Sequence, residues 1–138
     1  PNQAGTGAAG GLGFAFLSYT NAVLESGVKI ILEETKLESF IKNADFVITG
    51  EGRLDGQTVM GKAPIGVAEI AKKYEKKVLA FSGCVAEDAT LCNQHGIDAF
   101  FPILRTVTTL KEAMDFNHAK ENLSAAVEQV FRLIQSFE

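Results

Sequence analysis

Between Thr49 and Ala63 the chain gathers Glu51, Arg53, Asp55, Gln57, Thr58 and Lys62 among closely spaced glycines. Carboxylates, cations, an amide and a hydroxyl in one stretch are groups that can bind and activate a small polar substrate. The competing explanation is a solvated surface loop whose charges neutralise one another, Arg53 with Asp55 first. Part of the stretch, Gly56-Gln-Thr-Val-Met-Gly61-Lys62-Ala63, satisfies G-x-x-x-x-G-K and then breaks. A phosphate-binding P-loop needs a Ser or Thr hydroxyl on Mg²⁺ at the next position, and a tight glycine turn directly after a strand. Ala63 has no hydroxyl, and Pro64 removes one backbone N–H from the following helix start. The match is therefore accidental as mechanism, although Lys62 can still meet a phosphate as a point charge.

A second glycine cluster, Gly5-Thr-Gly-Ala-Ala-Gly10, fits G-x-G-x-x-G. A dinucleotide fold needs a strand before those glycines, and only four residues precede Gly5. Gly7, Gly10 and Gly11 would still let a backbone approach an anion at a helix start. Close helix packing through Gly10, Gly11 and Gly13 explains them equally well. His95, just before Gly96, suits the C-terminal carbonyls of a helix better than catalysis. His118 reads as a surface residue, and no Ser-His-Asp arrangement is defensible. Phe14, Phe16, Phe81, Phe100 and Phe101 are most simply core.

The elements that must hold these groups alternate. Asp45 to Thr49 is a short β-branched strand, and Lys77 to Ser82 is a second; Pro64 opens a helix between them with Val67, Ile70, Ala71 and Tyr74 inward. That is a βαβ unit, with Thr49–Ala63 and Ser82–Asp88 beyond the carboxyl ends of its strands, where open parallel sheets bind ligands. Leu37–Ala44 reads as a helix with Leu37, Phe40 and Ile41 on one face, while Val28–Glu34 is ambiguous between strand and helix. Asp88–His95 is a short helix, and Ala99–Ile103 a third strand that Pro102 pushes toward an edge. Thr109 caps a short helix, and Asn117 or His118 begins a last one with Leu123, Val127, Val130, Phe131 and Ile134 inward. The fold class is α/β, a layered, mostly parallel Rossmann-like sheet flanked by helices.

Bulk properties narrow the partners. The 138 residues carry a net charge of −4 with no basic stripe, which speaks against nucleic acid. No apolar run approaches membrane-spanning length, so a membrane is not an expected partner. Cys84 and Cys92 have neither metal nor C-x-x-C spacing and read as two reduced thiols in a cytoplasmic protein. The chain starts Pro1-Asn-Gln rather than with Met, as a processed product or a piece of a longer chain would.

Two segments carry a resemblance. AGTGAAGGLGFAFL and ADFVITGEGRLDGQTVMGKAPIGVAEIAKKY resemble the bacterial glycerate kinases, the second with a long run of TGEGRLD, QT and GKAPIGVA. The likeness extends through Ser82-Gly83 and the F-P-I at Pro102. It implies the C-terminal part of a two-domain kinase: residues 1–35 from the end of an inserted second domain, and 36–138 from the Rossmann-like domain. It implies ATP-dependent, Mg²⁺-assisted phosphorylation of D-glycerate to 2-phosphoglycerate. The alternatives are 3-phosphorylation, or a non-catalytic fragment that binds a small organic acid or nucleotide. With one wall of the cleft absent, this chain alone is expected to be inactive and to pack on the missing N-terminal part or form a homodimer. In such an enzyme Asp55, Glu51 and Lys62 are the catalytic candidates, with Glu51 and Asp55 also suited to the metal. Arg53, Gln57 and Thr58 fit substrate or phosphate, with Gly50, Gly52, Gly7, Gly10 and Gly11 giving backbone access.

Overall fold

The computed structural model describes residues 5–137; residues 1–4 of the first glycine-rich segment lie outside them. Three strands form one parallel sheet in the order β1-β2-β3: β1 (Phe46–Leu54), β2 (Lys77–Val85) and β3 (Ala99–Pro102). The β1–β2 register starts at Phe46 with Lys77, and β3 pairs only its four residues, ending at Pro102, which brings no ladder N–H. Seven helices accompany them among the described residues: α1 (Ala8–Tyr19), α2 (Gly27–Glu34), α3 (Leu37–Ile41), α4 (Ala63–Lys73), α5 (Leu91–Gln94), α6 (Leu110–Ala113) and α7 (Phe116–Gln135).

Period-two alternation along β2 builds two cores. Val78 and Ala80 face one way, onto Ile65, Ala68 and Ala71 of α4 and Ile41 of α3. Leu79 and Phe81 face the other way, onto Val127, Val130 and Ile134 of α7. A strand buried on both faces reads as continuous apolar sequence, as Lys77–Ser82 does. Each fully buried Ile, Leu or Val here contributes about 1.5–3 kcal/mol relative to exposure. Phe81 stacks on Phe101 at 5.5 Å, and Phe46 meets Phe131 edge-on at 6.0 Å.

Several expectations need correction. Both long strands continue past their apolar runs, β1 to Leu54 instead of Thr49 and β2 to Val85 instead of Ser82. The reason is glycine at the seam: a Cβ on Gly50 would run into the Phe81 carbonyl oxygen, and one on Gly83 would lie 2.6 Å from that of Gly52. The ambiguous Val28–Glu34 segment is helical and packs, as α2, on α3 and α4. The deepest side of α4 is Pro64, Ile65, Ala68 and Ala71, because Val67, Ile70 and Tyr74 sit at the margin of the core. Phe40, expected inward, is exposed, as is much of Leu123. Phe14 and Phe16 are about half exposed, since α1 packs broadly against no other element among the described residues. Within α1, Ala9, Gly10 and Gly11 take left-handed backbone angles that break the helix at its start.

The helix punctuation behaves as expected at two places. Gly96, at φ +96°, ends the α5 segment, and His95 Nδ1 lies 3.0 Å from the Leu91 carbonyl oxygen. Thr109 caps α6 in a full capping box with Glu112. The Glu112 carboxylate accepts from the Thr109 hydroxyl, the Thr109 N–H and the Thr108 hydroxyl, which hold its carboxyl down at about 2. A depressed folded-state value means that the box stabilises the fold above the ordinary carboxyl value of 4.5 and lets go as pH falls toward about 2. Carbon-detected NMR titration is expected to place the Glu112 midpoint near that value. A midpoint at the ordinary glutamate position would mean that the box does not form in solution.

Candidate functional site

The cluster is built by one short segment. Glu51 and Arg53 stand on the last residues of β1, two apart and therefore on the same side of the strand. After Leu54 the chain turns. The Asp55 carboxylate Oδ1 accepts the backbone N–H groups of Gln57 (3.0 Å) and Thr58 (3.2 Å), closing an Asx-type turn. A 3₁₀ turn, Thr58–Met60, follows and ends on Gly61 at φ +93°. Gly61 is thus a left-handed stop to a turn, and Lys62 is the N-cap residue of α4. The G-x-x-x-x-G-K match is spread over a turn and a helix entry instead of one tight glycine turn directly after a strand.

Lys62 reaches back over this turn. Its Nζ lies 3.3 Å from Asp55 Oδ1 and 3.5 Å from Glu51 Oε1, so one ammonium bridges both carboxylates. Burial lowers the affinity of Lys62 for its proton, but hydrogen bonds and charge from Asp55 and Glu51 outweigh that and raise its pKa above the ordinary 10.5. Lys62 is a permanent cation at any physiological pH. Burial pushes the Asp55 carboxyl up, yet the Lys62 ammonium, the Gln57 N–H and the Thr58 hydroxyl together hold it below its ordinary 3.8. Asp55 is correspondingly a permanent anion.

Thr58 lies underneath. It is 0% exposed, and its hydroxyl donates to Glu51 Oε1 at 2.9 Å while accepting the Asp55 N–H at 3.2 Å. The expected contact between Thr58 and a substrate hydroxyl has no open path in this arrangement. Glu51 and Asp55 side chains are one-fifth exposed, at 20% and 19%, and Lys62 is 39% exposed. Arg53 is 65% exposed, with its Nε 3.5 Å from Asp55 Oδ2, a loose pair that leaves most of the guanidinium facing outward. Gln57 is exposed and contributes its backbone to the turn.

The glycines divide. Gly50 is crowded by β2, whereas a Cβ at Gly52 would meet nothing within 4 Å. Gly7, Gly10 and Gly11 are likewise open; Gly13 is the close-packed one, its Cα against the Gly5 carbonyl. No extended contact joins α1 to the Glu51–Lys62 turn among the described residues.

Sequence reasoning missed what supports the turn. Cys92 is fully buried below it, with Sγ 4.0 Å from the Asp55 carbonyl oxygen. Burial, then the charges of Glu51, Asp55 and Asp88, pushes its thiol pKa up, so it is inert packing rather than a nucleophile. Asp88, from the loop after β2, lies against Gly56, where a Cβ would come 2.5 Å from Oδ2. Both loops beyond the strand ends therefore close on each other, and the signal that could have found this was the glycine at position 56. Cys84 is exposed and free.

Residues 1–135 match the sequence profile of the glycerate kinase family. The chain belongs to the glycerate kinase family. It is 43% identical over 133 residues to a glycerate kinase of Haemophilus influenzae, covering 96% of this chain and 35% of that one. It is 46% identical over 122 residues to a glycerate 2-kinase of Escherichia coli, covering 88% of this chain and 32% of that one. A solved chain described as a candidate glycerate kinase 2 from Salmonella typhimurium LT2 superposes with a TM-score of 0.67 at 37% identity, over 97% of this chain and 33% of that one. The chain thus spans about a third of the length of the glycerate kinases that it matches, as a C-terminal portion would. The parallel α/β sheet is shared with that structure.

Proposed function

We propose that this chain supplies the charged turn of a kinase that phosphorylates D-glycerate with ATP, giving 2-phosphoglycerate and ADP. The observation that carries this reading is the Lys62 ammonium fixed between Glu51 and Asp55 at the carboxyl end of β1. Phosphoryl transfer asks a protein for position and charge more than for covalent chemistry. Lys62 offers a fixed positive charge to the transferring phosphoryl group. Arg53 offers an outward guanidinium fork to a phosphate or to the glycerate carboxylate. The glycerate 2-hydroxyl oxygen bonds to the γ-phosphorus as the bridging P–O bond to ADP breaks, and the hydroxyl proton passes to a carboxylate. Glu51 suits that proton, because its Oε2 has no partner among the described residues while Oε1 is engaged. Asp55, held ionised, suits a metal.

The donor set fits Mg²⁺. Magnesium takes one or two carboxylates and completes its shell with phosphate oxygens and water. No three metal-binding side chains converge among the described residues, so phosphates would have to contribute. Asp55 would hold the ion through Oδ2, which Arg53 approaches only loosely at 3.5 Å, since Lys62 already sits on Oδ1. Bound there, Mg²⁺ would neutralise charge on the transferring phosphates.

Gly52 leaves backbone open beside this turn. Gly7, Gly10 and Gly11 leave it open in the 1–35 segment, which we assign to the end of the second domain, with 36–138 in the Rossmann-like one. The 2-hydroxyl is favoured by the name of the E. coli relative, glycerate 2-kinase. A small-molecule substrate, a cytoplasmic setting and packing on the rest of the parent chain complete the reading; no described helix is long and apolar enough to cross a membrane. The test is ADP release by the whole enzyme with D-glycerate, ATP and Mg²⁺, coupled directly through enolase without a mutase. An enolase signal is expected. ADP release without that signal would mean 3-phosphorylation, and no ADP release would overturn the substrate assignment.

A further inference from the structure

We infer that Thr58 is the positioning residue of this site, the buried hydroxyl that turns Glu51 so that its second oxygen faces the substrate. The inference rests on the reading of Glu51 as the proton acceptor. Thr58 is the one member of the cluster with no exposed surface, so it acts only through its neighbours. Its hydroxyl carries a single hydrogen with two carboxylates in range. Glu51 Oε1 lies at 2.9 Å and Asp55 Oδ1 at 3.3 Å. The shorter contact goes to Glu51, and Asp55 Oδ1 is already supplied by two backbone N–H groups and Lys62. The hydroxyl oxygen meanwhile accepts the Asp55 N–H at 3.2 Å, which fixes the rotor and therefore the direction in which the hydrogen points. Thr58 thus ties strand β1, through Glu51, to the turn that carries Asp55. Glu51 Oε1 is pinned, and rotation about the carboxylate is removed, leaving Oε2 as its outward oxygen.

A threonine does this better than a serine in one respect. Its β-branch restricts χ1, so the hydroxyl is held without help from outside. Removing the hydroxyl leaves the Asp55 N–H without its acceptor and Glu51 with Lys62 alone. A carboxylate mispositioned by about 1 Å can cost about 100-fold in rate.

The experiment uses the whole enzyme and the variants Thr58→Val, Thr58→Ala and Thr58→Ser, with Glu51→Gln as the reference. Thr58→Val is expected to lower kcat by about 100-fold with KM for ATP nearly unchanged, because the hydroxyl touches no substrate. Thr58→Ala, which cannot crowd the turn, gives the same loss if Thr58→Val fails to fold. Thr58→Ser restores most of the rate. Melting temperature is followed alongside, so that the loss is measured per folded enzyme. Full activity in folded Thr58→Val or Thr58→Ala, while Glu51→Gln is inactive, would overturn the positioning role alone. Equal losses in Thr58→Ser and Thr58→Ala would also overturn it, since the hydroxyl would then not matter. Full activity in Glu51→Gln would instead overturn the reading of the site on which it rests.

Discussion

Replacing Lys62 by Ala in the whole enzyme lowers kcat/KM for phosphoryl transfer by about 100- to 1,000-fold, the cost of losing one preorganised charge aimed at a transition state. The structure makes two contributions to that expectation. The ammonium is already desolvated in part and already charged, held between Asp55 and Glu51 with its pKa raised, so no reorganisation is needed when negative charge develops. Its loss also leaves the two carboxylates without the cation that bridges them, with only the loose Arg53 contact to Asp55 remaining, which disfavours a further anion in the same place. Folding should be little affected, because the turn retains the Asp55 bonds to Gln57 and Thr58 and the Thr58 bond to Glu51. Lys62→Arg is not a rescue: the wider fork cannot occupy the point between Oδ1 and Oε1. Steady-state kinetics with thermal melting decides the matter. An ordinary kcat/KM for Lys62→Ala would remove the turn from the reaction.

Gly50→Ala is expected to be the more damaging change to the fold, although it deletes nothing. The added methyl would be driven into the Phe81 carbonyl oxygen, a backbone atom that cannot swing aside. Overpacking of this kind costs about 1–3 kcal/mol, and a backbone neighbour places it at the upper end. The strain falls on the seam where Gly50 pairs with Phe81, next to Glu51, so activity should drop together with the melting temperature. Gly52→Ala is the control two residues on, with open space where its Cβ would sit. It should melt like the parent, and a selective rise in KM there would mark the backbone as a ligand surface. Equal stability of the two variants would contradict the close approach of β1 and β2.

Much of the sheet was legible in the chain because local and long-range preferences agree. Val47, Val78 and Ala80 sit in apolar β-branched runs, Pro64 stands in a first helical turn, and Thr109 and Gly96 punctuate helices by mechanisms that act within a few residues. The strand ends were not legible. Gly50, Gly52 and Gly83 read as loop by propensity, yet the lack of a Cβ at Gly50 and Gly83 is what allows the strands to approach and continue to Leu54 and Val85. The composition of the site was visible too, since Glu51, Asp55 and Lys62 announce themselves by charge. The burial of Thr58 was not, because it depends on the turn folding back under Glu51, a three-dimensional fact with no signature in spacing. Phe14 and Phe16 fail for the opposite reason: their residue type predicts burial, and α1 has no extended contact to bury them against.

The widest span in the polar cluster is the eleven residues from Glu51 to Lys62. A contact network this local closes small loops, and small loops cost little chain entropy to close. The sheet beneath it is different, since β1 meets β2 only after the whole α4 crossover has been traversed. The turn's own bonds between Asp55, Gln57 and Thr58 can therefore form and re-form on the time scale of loop closure, well ahead of strand pairing. Refolding from denaturant should thus be paced by the β1–β2 seam, with the charged turn completed as soon as that seam is in place.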